Sequence, residues 1–440
     1  MLTAKEIREY KKTLSHSGQP LDVSDPYYVP NLHGKDGYDV ILRLQEAIED
    51  TDGTGLYYFT GQRGTGKSTE LRRLETGLNA GSYRCIRFDA LSYLNDTQPI
   101  DAHMLMLIVA AGIGDWIGNK YPEKDAKAES PLSRFCNWLN TEINLEKIDL
   151  QAPGVKLALN LKPMQESVSS KIHKLSDKQR LHREIIDFIS DMCAWIAERE
   201  NRQIVIVVDS LENLRGNPLA GKDQELLFAS VLDVFADRIE LIKVPDVHIV
   251  YSVPPYLCLL ANIRPQVNWM SLASVRVYAD PAKSPRQPRQ EGLDMMRELL
   301  TKRLPRWHEI LDDASFTRLA LLSGGDLRQF IVRLLVDVLH FAQYALDRLP
   351  LKADDPIIED IVGACASEML QLTVTEEWPL LRTVADRHNI LADSREQIKT
   401  LAHLLDTKVI LNYRNGKDWY DLHPTLWGVI DPVAPAPATA

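Results

Sequence analysis

The chain has 440 residues, of which 45% are apolar and 25% charged, and its formal net charge is −10. That balance excludes a mostly disordered, collagen-like or disulfide-stapled protein, and the length allows about three domains. An acidic chain is not a bulk binder of polyanions, so any contact with nucleic acid must come from a local basic patch.

The N-terminus, Met1 to Arg8, is charged and lacks the apolar core of a signal peptide. No apolar run reaches the ~18 residues that would suggest a membrane span. Cys85, Cys136, Cys193, Cys258 and Cys365 lie far apart without a CxxC pair, which points to reduced thiols rather than zinc or disulfides. The expected compartment is the cytoplasm.

No 20–50-residue repeat is visible. The first ~25 residues read as a short helix and a loop, followed by the Pro- and Tyr-rich stretch Asp25 to Pro30. Tyr38 to Ile48 has helical spacing of Val40, Ile41, Leu44, Ala47 and Ile48. Leu56 to Thr60 and Tyr83 to Phe88 read as strands, with a Gly-rich loop and a charged helix between them. Ala102 to Ile117 is an apolar helix, and Lys178 to Glu200 a long amphipathic one. Between them, Val155 to Leu161 alternates like a strand of an inserted hairpin. Ile204 to Val208 is an unbroken β-branched run ending in Asp209, the pattern of a central parallel strand. Val247 to Val253 and Val275 to Ala279 are further strands. Strands alternating with helices over roughly residues 50–280 imply a parallel α/β sheet.

Pro281 to Pro288 reads as the clearest linker, and the chain is helical from Gln290 to about Leu372. Arg395 to Lys408 is a helix. Val409 to Arg414 and Lys417 to Leu422 flank Asn415-Gly416, a strong hairpin signal because a type I′ turn needs positive φ at both central residues. Helices followed by a hairpin suggest a winged helix. The expected divisions are 1–50, an α/β core over 51–288 with an insert at about 99–200, a helical lid over 289–372, a winged helix over 373–430, and a disordered Pro/Ala-rich tail over 431–440.

The decisive motif is Gly61-Gln62-Arg63-Gly64-Thr65-Gly66-Lys67-Ser68, which fits G-x-x-x-x-G-K-[ST] and runs on into Thr69. Its glycines let the loop wrap phosphates with N–H groups pointing inward, and the following helix sets its positive end at the anion. Lys67 would reach the β- and γ-phosphates, and Ser68 would ligate Mg²⁺. Asp209, at the end of its strand, is the second acid that holds Mg²⁺ through water. The acid that orients attacking water often follows directly, but Ser210 stands there. Glu212 is the nearest candidate for that role. Ser252, at the tip of a strand expected between the Gly61-loop strand and the Asp209 strand, is placed to sense the γ-phosphate or to be a satisfied buried hydroxyl. In Ser323-Gly324-Gly325-Asp326-Leu327-Arg328, Arg328 could fold back onto the nucleotide.

Together these residues resemble an AAA+-type P-loop ATPase, and the C-terminal hairpin makes the origin-recognition branch and the STAND signal-transducing ATPases most similar, over roughly residues 25–427. The resemblance implies that Tyr28, Val29 and Pro30 lie against adenine, that ATP and Mg²⁺ are the cofactors, and that the chain forms a homo-oligomer. It also implies an arginine acting on a neighbouring subunit, for which Arg264 and Arg276 are candidates, and a separate effector or partner protein, as in bacterial defence. Ser210 departs from the common Asp-Glu pair and suits a slow switch. Two other readings stay open: a DNA-binding or DNA-loading ATPase using Arg395, Lys399, His403, Lys408, Arg414 and Lys417, and a nucleotide-bound scaffold with little turnover. His388, His403 and His423 match no metal-site spacing. No membrane partner is expected.

Overall fold

The computed structural model describes all residues except 1, 17, 35–37, 122–130, 143–156, 158–160, 175–176, 215–221, 261–262, 264, 283–285, 415–416 and 431–440. The chain divides into two compact units. One comprises Leu44–Thr60 and Leu74–Met270, the other Met1–Arg43, Gly61–Arg73 and Ser271–Ala440.

The first unit is built on a five-stranded sheet: β1 (Gly55–Thr60), β2 (Tyr83–Asp89), β3 (Gln203–Asp209), β4 (His248–Val253) and β5 (Asn268–Ser271), in the order β2-β3-β4-β1-β5. The pairs β1–β4, β2–β3 and β3–β4 are parallel. β1 and β4 are buried at every position, and β3 at every position but Gln203, which is why they read as continuous apolar runs rather than alternating ones. The order places β4 between β1 and β3, as the Ser252 assignment required. Register aligns Thr60 with Val253 and Asp89 with Asp209, so Thr60, Val253, Asp209 and Asp89 mark the C-terminal edge of the sheet. Buried tyrosines keep their hydroxyls bonded: Tyr58 donates to Phe235 O and Tyr251 to Ile242 O, each at 2.9 Å.

Helix Ala102–Lys120, capped by Asp101, is long and apolar enough to cross a membrane, which corrects the sequence reading; His103, Asp115 and its glycines had masked the run. It serves as a core helix, with 83% of its most apolar window buried in the structure. Helix Lys178–Glu200 has the expected bounds and packs against it. The hairpin strand expected at Val155 to Leu161 falls largely outside the described residues. Its two described members, Leu157 and Leu161, are helical and buried, because the same alternation also sets an i, i+4 pair on one helix face.

In the second unit the segment after β5 differs from expectation. Val275 to Ala279 forms no strand of the sheet. Its hydrogen bonds go to partners outside the sheet instead: Val275 N to Gly325 O, Ala279 N to Gln287 O, and Arg289 N to Val277 O. The Pro281–Pro288 stretch is therefore no free linker. Arg286 within it binds Asp421 through two hydrogen bonds of 3.0 Å, with its guanidinium 4.4 Å from the Trp427 ring. Helices Gln290–Arg303, Asp313–Leu322, Pro356–Leu370 and Trp378–Arg387 follow. Helix Arg395–Asp406 leads into an antiparallel hairpin, β6 (Ile410–Arg414) and β7 (Asp418–Leu422). The Asn415-Gly416 turn and the tail at 431–440 lie outside the described residues.

Candidate functional site

The Gly61–Ser68 loop follows β1 directly after Thr60. Gly64 and Gly66 take φ of +85° and +93°, which L side chains rarely adopt, and helix Lys67–Ala80 begins at once. The loop braces itself. Thr65 Oγ1 donates to Gln62 O at 2.8 Å, and Lys67 Nζ donates to Gly61 O and Gln62 O at 2.8 and 2.9 Å. Lys67 is 4% exposed. The loop thus folds the Gly61 and Gln62 carbonyl oxygens onto a buried ammonium at the start of a helix.

Other parts of the same unit close on this loop. A Cβ added at Gly64 would lie 2.7 Å from Arg328 Cβ and 2.8 Å from Asp326 Oδ1, so the Ser323–Arg328 turn packs directly against it. Arg328, expected as a lid arginine, is thus beside the loop in this same chain. Asp326 is buried, accepts from Gln329 N, and takes Lys408 Nζ at 2.5 Å. Gln62 reaches the C-terminal segment: its Nε2 donates to Leu405 O and Ile410 O, and its Oε1 accepts from Asn412 N. His33 Nδ1 lies 3.1 Å from Ala273 O, and its Nε2 is 3.6 Å from the Cβ position of Gly66. Burial pushes His33 down to about 4, so it is neutral at physiological pH.

Tyr28, Val29 and Pro30 belong to the same unit. Lys302 Nζ donates to Tyr28 O at 2.6 Å and Arg303 to Tyr27 O at 3.1 Å; Val29 is buried and Pro30 exposed. Burial, reinforced by Glu70, pushes the Tyr28 phenol up to about 12. Arg73 joins Asp39 and Glu70, and burial raises Glu70 above the usual carboxylate range. Arg276 is half-buried. Burial and neighbouring Arg289 lower its affinity for a proton. Arg264 lies outside the described residues.

The acidic residues sit in the other unit. Asp209 is 2% exposed; its Oδ1 accepts from Ser210 N at 2.8 Å, and its Oδ2 lies 3.8 Å from Arg87 Nη1. Ser210 takes φ of +71°, turning the chain sharply after β3. That turn brings Glu212 onto Ser252: Ser252 Oγ donates to Glu212 Oε2 at 2.7 Å and accepts from Leu211 N at 3.1 Å. Both side chains are buried. The hydroxyl expected to sense phosphate therefore orients the carboxylate expected to orient water.

The basic residues considered for DNA are partly engaged. Lys408 binds Asp326, and Arg414 lies 3.8 Å from Asp418. Lys417 is exposed. His388 lies 3.5 Å from Asp421, and His423 Nδ1 2.8 Å from Thr425 Oγ1. Among the described residues no group of three His, Cys, Asp or Glu could hold a metal ion. Sequence reasoning missed the contacts of Gln62, Asp326 and His33, because the motif leaves its x positions free and the partners are remote in sequence.

No protein-family model and no curated protein matches the chain. Among solved structures, the chain is similar to a Walker-type ATPase of Pyrococcus abyssi, at 14% identity and a TM-score of 0.40, covering 92% of this chain and 99% of that one. It is also similar to the ORC2 protein of Aeropyrum pernix in its ADP form, at 10% identity and a TM-score of 0.37, over 96% and 97% of the two chains. A third likeness is to Cdc6p from Pyrobaculum aerophilum, at 14% identity and a TM-score of 0.33, over 93% and 98%.

Proposed function

We propose that this protein is an ATP-binding and slowly ATP-hydrolysing switch. The observation that carries the reading is the Gly61–Ser68 loop, with two glycines at positive φ and a buried Lys67 at the start of a helix. Lys67 would hold the β- and γ-phosphates and stabilise the charge that develops in transfer. Ser68 and Asp209 offer the hard oxygen donors that suit Mg²⁺. The chemistry supplied by that ion, when bound, is neutralisation of phosphate charge.

Glu212 would orient water for in-line attack, with Ser252 fixing its carboxylate. Arg328, beside Gly64, would contact phosphate from within the chain. Tyr28, Val29 and Pro30 would border the base. Ser210, not an acid, directly follows Asp209, which supports slow turnover. The same departure favours a second reading, a nucleotide-bound scaffold with little hydrolysis. A nucleotide-dependent homo-oligomer or a partner protein would read the state of the switch.

Lys67→Ala should abolish ATP binding measured by calorimetry, and unchanged affinity overturns the assignment. Glu212→Gln should still bind ATP while turnover falls about 100-fold or more; normal turnover removes Glu212 from the mechanism. If the wild type binds ATP but shows no turnover, the scaffold reading holds instead.

A further inference from the structure

The second residue of the phosphate loop is held by a stretch of chain more than 340 positions away. Gln62 Nε2 donates to Leu405 O at 2.9 Å and to Ile410 O at 2.7 Å, while Oε1 accepts from Asn412 N at 2.9 Å. The side chain is 3% exposed. A terminal amide suits this set, since a carboxylate lacks the two donors and an ammonium lacks the acceptor. The main chain of the same residue is bound from within the loop, where its carbonyl accepts from Lys67 Nζ and Thr65 Oγ1. Gln62 is therefore the point where the loop and the end of helix Arg395–Asp406 meet. A second strut runs beside it: Lys408 binds Asp326, whose Oδ1 lies against Gly64.

We propose that Gln62 is a positioning residue that ties the phosphate loop to the C-terminal helix and hairpin, so that nucleotide binding and the seating of that segment oppose each other. This rests on the nucleotide reading above. A phosphate in the loop draws Lys67 Nζ toward itself and away from the Gln62 carbonyl. The peptide that carries the clamp then loses a bond that fixes it. Coupling of this kind is reciprocal, so a clamp that nucleotide loosens must itself weaken nucleotide binding.

The test uses the full chain with Mg²⁺ and a non-hydrolysable ATP analogue. Affinity is measured by calorimetry, exchange of the Asn412 amide by hydrogen–deuterium exchange, and folding by thermal melting. In the wild type, saturating analogue should speed Asn412 exchange at least about threefold. Gln62→Ala and Lys408→Asn should each bind the analogue about fivefold more tightly. Lys408 lies outside the loop at φ +64°, a conformation asparagine tolerates, so this variant carries the test if Gln62→Ala fails to fold. If the wild type binds no analogue, the nucleotide reading fails and this proposal with it. If it binds, but Asn412 exchange is unchanged or the folded variants bind no more tightly, the clamp proposal alone is overturned.

Discussion

Replacing Gly64 by alanine measures how closely the Ser323–Arg328 turn sits on the Gly61–Ser68 loop, and Gly66 supplies the control. Both positions hold positive φ, where alanine loses about 1–2 kcal/mol relative to glycine. At Gly66 the nearest atoms to an added Cβ are Leu327 Cδ1 at 3.5 Å and His33 Nε2 at 3.6 Å, which is ordinary contact. Gly66→Ala should therefore cost the backbone strain alone. At Gly64 the new methyl would meet Arg328 Cβ at 2.7 Å and Asp326 Oδ1 at 2.8 Å. The first atom is anchored to the main chain; the second accepts from Gln329 N while the other oxygen of its carboxylate binds Lys408, so neither can swing aside. Overpacking of this sort adds about 1–3 kcal/mol, which puts Gly64→Ala at about 2–5 kcal/mol in total. Urea unfolding of the two variants reads the difference as a shift of midpoint at constant slope. Equal losses, or a smaller loss for Gly64→Ala, would refute the close packing of turn on loop.

Two further perturbations address the rest of the molecule. Arg286 and Asp421 form a buried pair with side chains 7% and 1% exposed. Asp421→Asn leaves the guanidinium without its countercharge and should cost about 3–5 kcal/mol in thermal unfolding, against a smaller loss when Arg286→Met is combined with Asp421→Leu; a double variant as unstable as the single one contradicts this. Glu200 titrates at about 2: burial alone would raise it, but hydrogen bonds from Lys120, Tyr121 and Arg84 outweigh burial. Its folded value lies below the unfolded 4.5, so its contribution is complete above that pH and is lost as pH falls from there toward about 2. Glu200→Gln should flatten the fall in unfolding free energy, read from urea titrations, between about pH 5 and about pH 3, by about 1–2 kcal/mol after allowance for solvent screening. A fall parallel to that of the wild type would exclude Glu200 as its source.

The strands were legible wherever burial on both faces left an uninterrupted run, as in Ile204 to Val208 and Leu56 to Thr60. The hairpin was legible from the residues flanking Asn415-Gly416, because turn chemistry is local. β5 was not: Asn268-Trp269-Met270-Ser271 is short and half polar, and only its neighbour β1 makes it a strand. Val275 to Ala279 misled for the opposite reason, being apolar enough for a strand while its hydrogen bonds are taken by Gly325, by Gln287 of the proline-rich stretch and by Arg289 just after it. Within the candidate site, spacing found the loop and the acid strand. It could not show that Glu212 would be bonded to Ser252, since that depends on the turn at Ser210 and on strand order. Nor could it find the partners of Gln62, which are main-chain atoms and leave no trace in side-chain identity.

Those partners also set a timetable. Gln62 is made 343 to 350 residues before the groups it binds. At a synthesis rate of about 5–20 residues per second, the loop exists for roughly 20–70 seconds before Leu405 and Asn412 emerge. The unit formed by Leu44–Thr60 and Leu74–Met270 has all its segments by residue 270, whereas the unit holding the loop still awaits its largest one. Messenger truncation or ribosome stalling in that interval would leave a chain with its sheet complete and its Gly61–Ser68 loop unclamped, a nascent species that lacks the hydrogen bonds Gln62 makes in the finished protein.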